Sequence, residues 1–190
     1  MAEFRLETER LVLRDWREED WDRFFEVTNT PAGMRWLGGV ADEAARTLQR
    51  ERFESYHAEH GHTFWALERK QDGGFLSGEM LGTCGLKKSN SENGPLGEFE
   101  IGWRLRQDAW GKGYAHEAAR ACMDLAVDHF GAPRVIALTV QGNEASWGLM
   151  KRLGMQRRED LDFNDPRFGP DLNPTIAYSI TAEQWAGTRG

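Results

Sequence analysis

The sequence predicts an α/β fold with an antiparallel front half. Three observations carry this reading. Residues 63–68 and 81–86 are two apolar runs separated by a glycine-rich turn, the pattern of a hairpin. From 98 to 105 the chain alternates strictly: Phe99, Ile101, Trp103 and Leu105 face one way, and Glu98, Glu100, Gly102 and Arg104 the other. A strong helix and a β-branched strand then follow in the order that α/β units use.

In chain order, residues 10–14 form a first short strand, and Trp16, Trp21, Phe24 and Phe25 follow at helical spacing. Pro31 and Gly33 break that helix. Ala45, Leu48, Arg52, Phe53 and Tyr56 recur at three- and four-residue steps, predicting a second helix over 42–60 that Gly61 stops. Residues 87–97 are a polar loop. A helix from Ala115 to Phe130 buries a stripe of Ala115, Ala119, Cys122, Ala126 and Phe130, and Gly131 and Pro133 end it. Residues 134–140 are a strand. Asn143 opens a short helix through Leu153, and a short strand comes next. Residues 160–174, rich in Asp, Asn, Pro and Gly, form a loop before a last strand over 175–180.

The length of 190 residues fits one domain, and 39% hydrophobic residues supply a core. Lys and Arg number 24 against 31 Asp and Glu, a net charge of −7, with no basic stripe of the kind nucleic-acid binding needs. The acidic excess suits a cationic partner such as an amine, or simply a solvated surface. Cys84 and Cys122 lack metal-ligand spacing and read as small core residues of a reducing compartment. No apolar run approaches membrane-helix length, and the first residues lack signal-peptide character, so a cytoplasmic protein without membrane partners is expected. His57, His60 and His62 cluster at a predicted helix end, but no carboxylate or cysteine completes a metal set, and no metal is expected.

The chemistry points to the strand, glycine loop and helix start around Trp110-Gly111-Lys112-Gly113-Tyr114-Ala115. Glycines let the backbone approach a ligand, and the free N–H groups of a helix start favour an anion such as a pyrophosphate. The loop has neither the triphosphatase pattern nor the three-glycine dinucleotide pattern.

Glu100-Ile101-Gly102-Trp103-Arg104-Leu105, followed by the 110–115 loop with Glu117 and Ala118, resembles motif A of the GNAT superfamily of N-acetyltransferases. Asn143 and Ser146, with Leu149, Leu153, Gly154 and Met155, resemble motif B. The opening Leu6, Thr8, Arg10, Leu11, Leu13 and Arg14, and Trp110 itself, resemble the RimJ/RimL-like branch. The resemblance implies the GNAT fold: a mixed, mostly antiparallel sheet of about six or seven strands, helices on both faces, and a cleft where the fourth strand splays from the fifth. It implies acetyl-CoA as co-substrate, with pantetheine in that cleft. The backbone of Trp103, Arg104 and Leu105 would bond pantetheine, Trp110, Gly111, Lys112, Gly113, Tyr114 and Ala115 would wrap the pyrophosphate, and Asn143 would bond the pantetheine arm.

An amine must lose its proton to attack a thioester, since only about one in a thousand Lys-type amines is neutral at pH 7. Glu100 is the candidate general base, and Glu98, on the same face, is the substitute. The Leu105 N–H is the candidate oxyanion donor. The tyrosine that many GNAT enzymes use to protonate the leaving thiolate is replaced here by Met150, and the resemblance moves that role to Ser146, which also lines the cofactor site. Trp36, Phe163, Asp165 and Arg167 fall in segments that line acceptor pockets in related proteins. The expected partner is a small-molecule amine or a peptide N-terminus, and the expected assembly a monomer or homodimer. Two alternatives stay open: an acyl-CoA-binding module without transferase activity, and an unrelated nucleotide-binding protein.

Overall fold

The computed structural model describes residues 3–189. Eight strands form one sheet in the order β1-β2-β3-β4-β5-β6-β8-β7. All recorded pairings are antiparallel except β5 with β6. The chain falls into two compact units, and β4, β5 and α3 contribute residues to both.

The first unit holds the chain up to Gly85 together with Trp103–Ala121. Here β1 (Arg5–Glu7) pairs with β2 (Leu11–Arg14), β2 with β3 (Phe64–Arg69), and β3 with β4 (Met80–Lys88). The sequence missed β1, because three residues alternating in exposure show no readable period; its partner β2 defines it, through Arg5↔Arg14 and Leu6↔Leu13. Helix α1 (Asp20–Thr28) begins later than its aromatic spacing predicts, since Trp16 precedes it. Trp16 instead stacks on Trp21, with ring centroids 4.1 Å apart, and its indole N–H donates to the Phe64 carbonyl. Helix α2 (Glu43–His60) matches its prediction. Asp42 Oδ1 caps it by accepting from the Ala45 N–H at 2.9 Å, and Gly61, at φ 70°, closes it in the left-handed conformation glycine favours.

The second unit holds Leu86–Gly102 and the chain from Cys122 onward. The end of β4 extends past its predicted limit. The Ser89 N–H donates to the Glu98 carbonyl and the Gly97 N–H to the Ser89 carbonyl, so the ladder runs into what the sequence marks as loop. Strand β5 (Phe99–Leu105) pairs with β6 (Arg134–Val140) for two positions, Phe99↔Val135 and Glu100↔Ile136. On its other side β6 pairs along its whole length with β8 (Thr175–Thr181), which also pairs with β7 (Gln156–Arg157). The predicted 115–130 helix is α3 (Tyr114–Asp124) followed by a π-helical turn, Leu125–His129, where the Phe130 N–H reaches the Leu125 carbonyl. After α4 (Glu144–Arg152), the chain adds α5 (Ala182–Gly187), which the sequence reading omitted. Its signal was present: Thr181 and Gln184 form a reciprocal capping box. It seats the fully buried Trp185, whose indole N–H donates to Asp124.

The sheet therefore has one or two strands more than the six or seven expected. Cys84 on β4 and Cys122 on α3 are buried and take part in no disulfide, consistent with small core residues. Among the described residues no helix is long and apolar enough to cross a membrane.

Candidate active site

In the first unit, the chain leaves β5 through a short helical turn and reaches α3 by Gly111 and Gly113, at φ 70° and 82°. Both angles favour glycine, and they deliver the chain to α3 with its first-turn N–H groups outside the helical ladder. Glu117 in that first turn fixes the loop. Its carboxylate accepts from Thr8 Oγ1 at 2.6 Å and from the Arg10 N–H and Nε at 2.7 Å each. Burial pushes the Glu117 carboxyl up, but the bonds from Thr8 and Arg10 outweigh it and hold it below the ordinary range. Arg10 Nη1 also donates to the Lys112 carbonyl. The sequence quoted Glu117 only as part of a motif; its role as the anchor of the loop is a tertiary fact.

The predicted loop residues occupy distinct positions. Trp110 is exposed and donates its indole N–H to the Leu105 carbonyl at 2.9 Å. Lys112 Nζ lies 5.2 Å from the Phe75 ring centroid. The Tyr114 side chain is buried, its hydroxyl bonded to the Phe75 carbonyl and Arg69, so the backbone is what Tyr114 and Ala115 present at the helix start. An alanine at Gly113 would have to hold φ 82° with its Cβ 3.3 Å from Arg10 Nη2. Strain of about 1–2 kcal/mol is then expected. Gly113→Ala should weaken CoA binding about tenfold, as measured by calorimetric titration.

Strand alternation orients the backbone of β5. The Arg106 N–H donates to the Leu81 carbonyl, so even-numbered positions direct their polar groups toward β4. Leu105 directs its N–H the other way, as does Trp103. Leu105 is buried and Trp103 half-buried. Arg104 directs its backbone toward β4, and its side chain runs under α1 and α2.

The second unit holds Glu100. Its side chain is 12% exposed, with Lys87 Nζ 3.3 Å from Oε2, yet Oε2 completes no hydrogen bond, and neither does the buried hydroxyl of Ser89. Burial pushes the Glu100 carboxyl above its ordinary value, against the opposing pull of Lys87 and Arg167. A buried carboxyl whose pKa is raised by desolvation holds a proton more readily than an ordinary glutamate, as a general base must. Glu98 is engaged differently, in an ion pair with Arg134. Arg167 is held by the buried carboxylate of Asp165 and reaches Ser91 Oγ at 3.4 Å. Phe163 is buried against Gly94, where a Cβ would lie 2.8 Å from the ring.

Lys87 and Ser89 were not singled out by sequence, which placed them in a loop. Their signal was the hairpin register: Ser89 bonds Glu98, so Lys87 stands across from Glu100, an opposite-charge cross-strand pair. On α4, Asn143 occupies the cap position without a side-chain cap bond, and Ser146 sits in the first turn, both half-buried. The Ser146 N–H donates to the Asn143 carbonyl. Met150, where a tyrosine was missed, is buried.

In the first unit, Trp36 is half-buried under the Arg35 guanidinium, 4.6 Å from its ring centroid. His57 lies 3.5 Å from Asp15, while His60 packs on Tyr56 and the buried His62. Among the described residues no group of three or more His, Cys, Asp or Glu could hold a metal ion.

A glycine loop feeding a helix start, after a strand whose pairing with its parallel neighbour stops after two positions, defines an acetyltransferase of the acetyl-CoA-dependent class. The family model described as Acetyltransferase (GNAT) domain matches residues 10–156, and the chain belongs to that family. It is 31% identical over 155 residues to YkkB of Bacillus subtilis (strain 168), covering 81% of this chain and 86% of YkkB. It is 26% identical to YnaD of the same organism, described as an uncharacterized N-acetyltransferase, over 94% of this chain and 97% of that one. Its fold is similar to that of an acetyltransferase from Agrobacterium tumefaciens str. C58, with a TM-score of 0.75 at 23% identity over 95% of each chain. It is similar also to spermidine N-acetyltransferase from Vibrio cholerae, solved with CoA and spermine, with a TM-score of 0.73 at 13% identity over 94% of this chain and 99% of that one.

Proposed function

We propose that this enzyme transfers acetyl from acetyl-CoA to a primary amine by direct attack, with Glu100 as the general base. The observation that carries this reading is the largely buried Glu100 carboxylate, which has Lys87 as its ion-pair partner and completes no hydrogen bond through Oε2. Glu100 takes the proton from the attacking amine. The Leu105 N–H, turned away from β4, holds the oxyanion that forms on the carbonyl. As the C–S bond breaks, Ser146 gives the departing thiolate a proton, which solvent restores to its hydroxyl while Glu100 releases to solvent the proton taken from the amine. A thiolate with a pKa near ~8.5 also leaves unaided, so Ser146 accelerates a step that does not depend on it. The backbone of the 110–115 loop holds the pyrophosphate and Asn143 the pantetheine arm. No acyl-enzyme forms, since both cysteines are buried and belong to no nucleophile arrangement.

The engagement of Glu98 by Arg134 favours Glu100 over Glu98 as the base. The acceptor is a peptide N-terminus or a small-molecule amine. The branch resembling RimJ and RimL favours the first, whereas spermidine acetylation by the Vibrio cholerae protein of the same fold favours the second. A cytoplasmic enzyme working as a monomer or homodimer fits this reading. The test is CoA thiol release from acetyl-CoA across N-terminal peptides, polyamines, amino acids and aminoglycosides. A rate well above acetyl-CoA hydrolysis is expected with one class. Acetyl-CoA binding with no turnover in any class would favour an acyl-CoA-binding module instead.

A further inference from the structure

Within the first unit, Arg104 is an anomaly. It is only 9% exposed, yet no carboxylate is among its partners. Nη1 contacts the Met34 sulfur at 3.2 Å, Nη2 reaches Gln49 Oε1 at 3.3 Å, and Nε is buried without any hydrogen-bond partner. The guanidinium lies 4.4 Å from the Phe24 ring centroid. A stack on a ring, a thioether and one long amide bond are weak compensation for a buried charge. Burial pushes its pKa down to about 10, so at neutral pH it stays charged. The other buried arginines of this unit, Arg14 and Arg69, each have a carboxylate partner: Asp20 and Glu68 grip Arg14, and Asp72 holds Arg69.

A second guanidinium repeats the pattern. Arg46 lies one helical turn before Gln49 on α2, on the same side of the helix. Its Nε is also buried and unpartnered, and it lies 5.8 Å from the ring of Phe25, a ring in contact with Phe24. Two cationic groups with idle donors therefore converge on neighbouring rings in a chain that carries net negative charge.

We propose that Arg104, assisted by Arg46, binds a carboxylate on the acceptor, so that the preferred substrate is a small amine of the amino-acid type. This rests on the acetyl-transfer reading above. A planar carboxylate can use the idle Nε of Arg104 together with an Nη in a two-bond fork, and its charge supplies the missing counter-ion. Such an acceptor orders two groups in one molecule: the carboxylate fixes the position and the amine is left free to react.

The test has a binding arm independent of turnover. In protein labelled with nitrogen-15 and saturated with CoA, a series of N-acetyl amino acids, each with a free carboxylate, and their amides is titrated while the Arg104 Nε–H resonance is followed. The carboxylates are expected to shift it saturably and the amides not, with the effect weakened in Arg46→Gln. A kinetic arm compares amino acids with their amides as acceptors. The carboxylate should improve kcat/KM about tenfold to a hundredfold, the scale of hydrogen bonds to a charged group, and Arg104→Lys should erase that preference while CoA still binds. Resonances that no carboxylate moves, or that acids and amides move alike, overturn the proposal even if amines are acetylated. Specific carboxylate binding without any acetyl transfer would keep the Arg104 assignment and defeat the transferase reading instead.

Discussion

Glu100→Gln is expected to lower kcat about a hundred- to ten-thousand-fold, the usual contribution of a positioned general base. CoA affinity should stay near that of the parent protein. Glutamine keeps the shape of the side chain and removes only its capacity to take a proton. The pH profile supplies an independent check. Burial is the largest influence on the Glu100 carboxyl and raises it, while Lys87 and Arg167 pull it down without cancelling the rise. A base works when deprotonated, so kcat/KM should fall as pH drops through a value above the ordinary ~4.3 of a glutamate. Lys87→Met removes a lowering influence, so the acidic limb should move further upward. An acidic limb and a turnover that Glu100→Gln leaves in place would show that the proton goes elsewhere.

Asp20→Ala is expected to cost about 3–5 kcal/mol of folding stability, the range for stripping one partner from a buried ion pair. Its carboxylate accepts from Arg14 Nη1 at 2.6 Å and Nη2 at 2.9 Å, and from the Arg17 N–H at 2.8 Å. The two side chains are only 5% and 8% exposed. Hydrogen bonding to Asp20 is also the main reason the Arg14 guanidinium holds its proton more tightly than a free arginine. Removing Asp20 leaves that charge with Glu68 alone, and the start of α1 loses the bond that fixes Arg17. For a chain of this length the midpoint of thermal unfolding should fall on the order of 10 °C, measured by circular dichroism. Glu7→Ala makes the contrast. Its pair with Arg5 is about half exposed on both sides, and exposed pairs contribute little.

The sequence by itself determined the elements whose signal is local and repeated. Alternation over 98–105 placed β5, the β-branched run placed β6 at its observed bounds, and Asp42 and Gly61 marked the ends of α2. The glycine loop and the helix it feeds were legible for the same reason, since positive φ at Gly111 and Gly113 is a demand written into residue type. Glu100 was legible as the face of a strand and as part of a motif. What the sequence lacked was everything set by partners far along the chain. Strand β1 exists because β2 pairs with it, and β4 runs through Lys88 because Glu98 and Gly97 continue its ladder. The anchoring of the loop by Glu117 joins groups more than a hundred residues apart. Arg104 was read as one more strand residue near the cofactor. Only the packing of β5 beneath α1 and α2 reveals a charged group shut away from water without an anion, because desolvation depends on which surfaces meet in three dimensions and residue spacing carries no record of it.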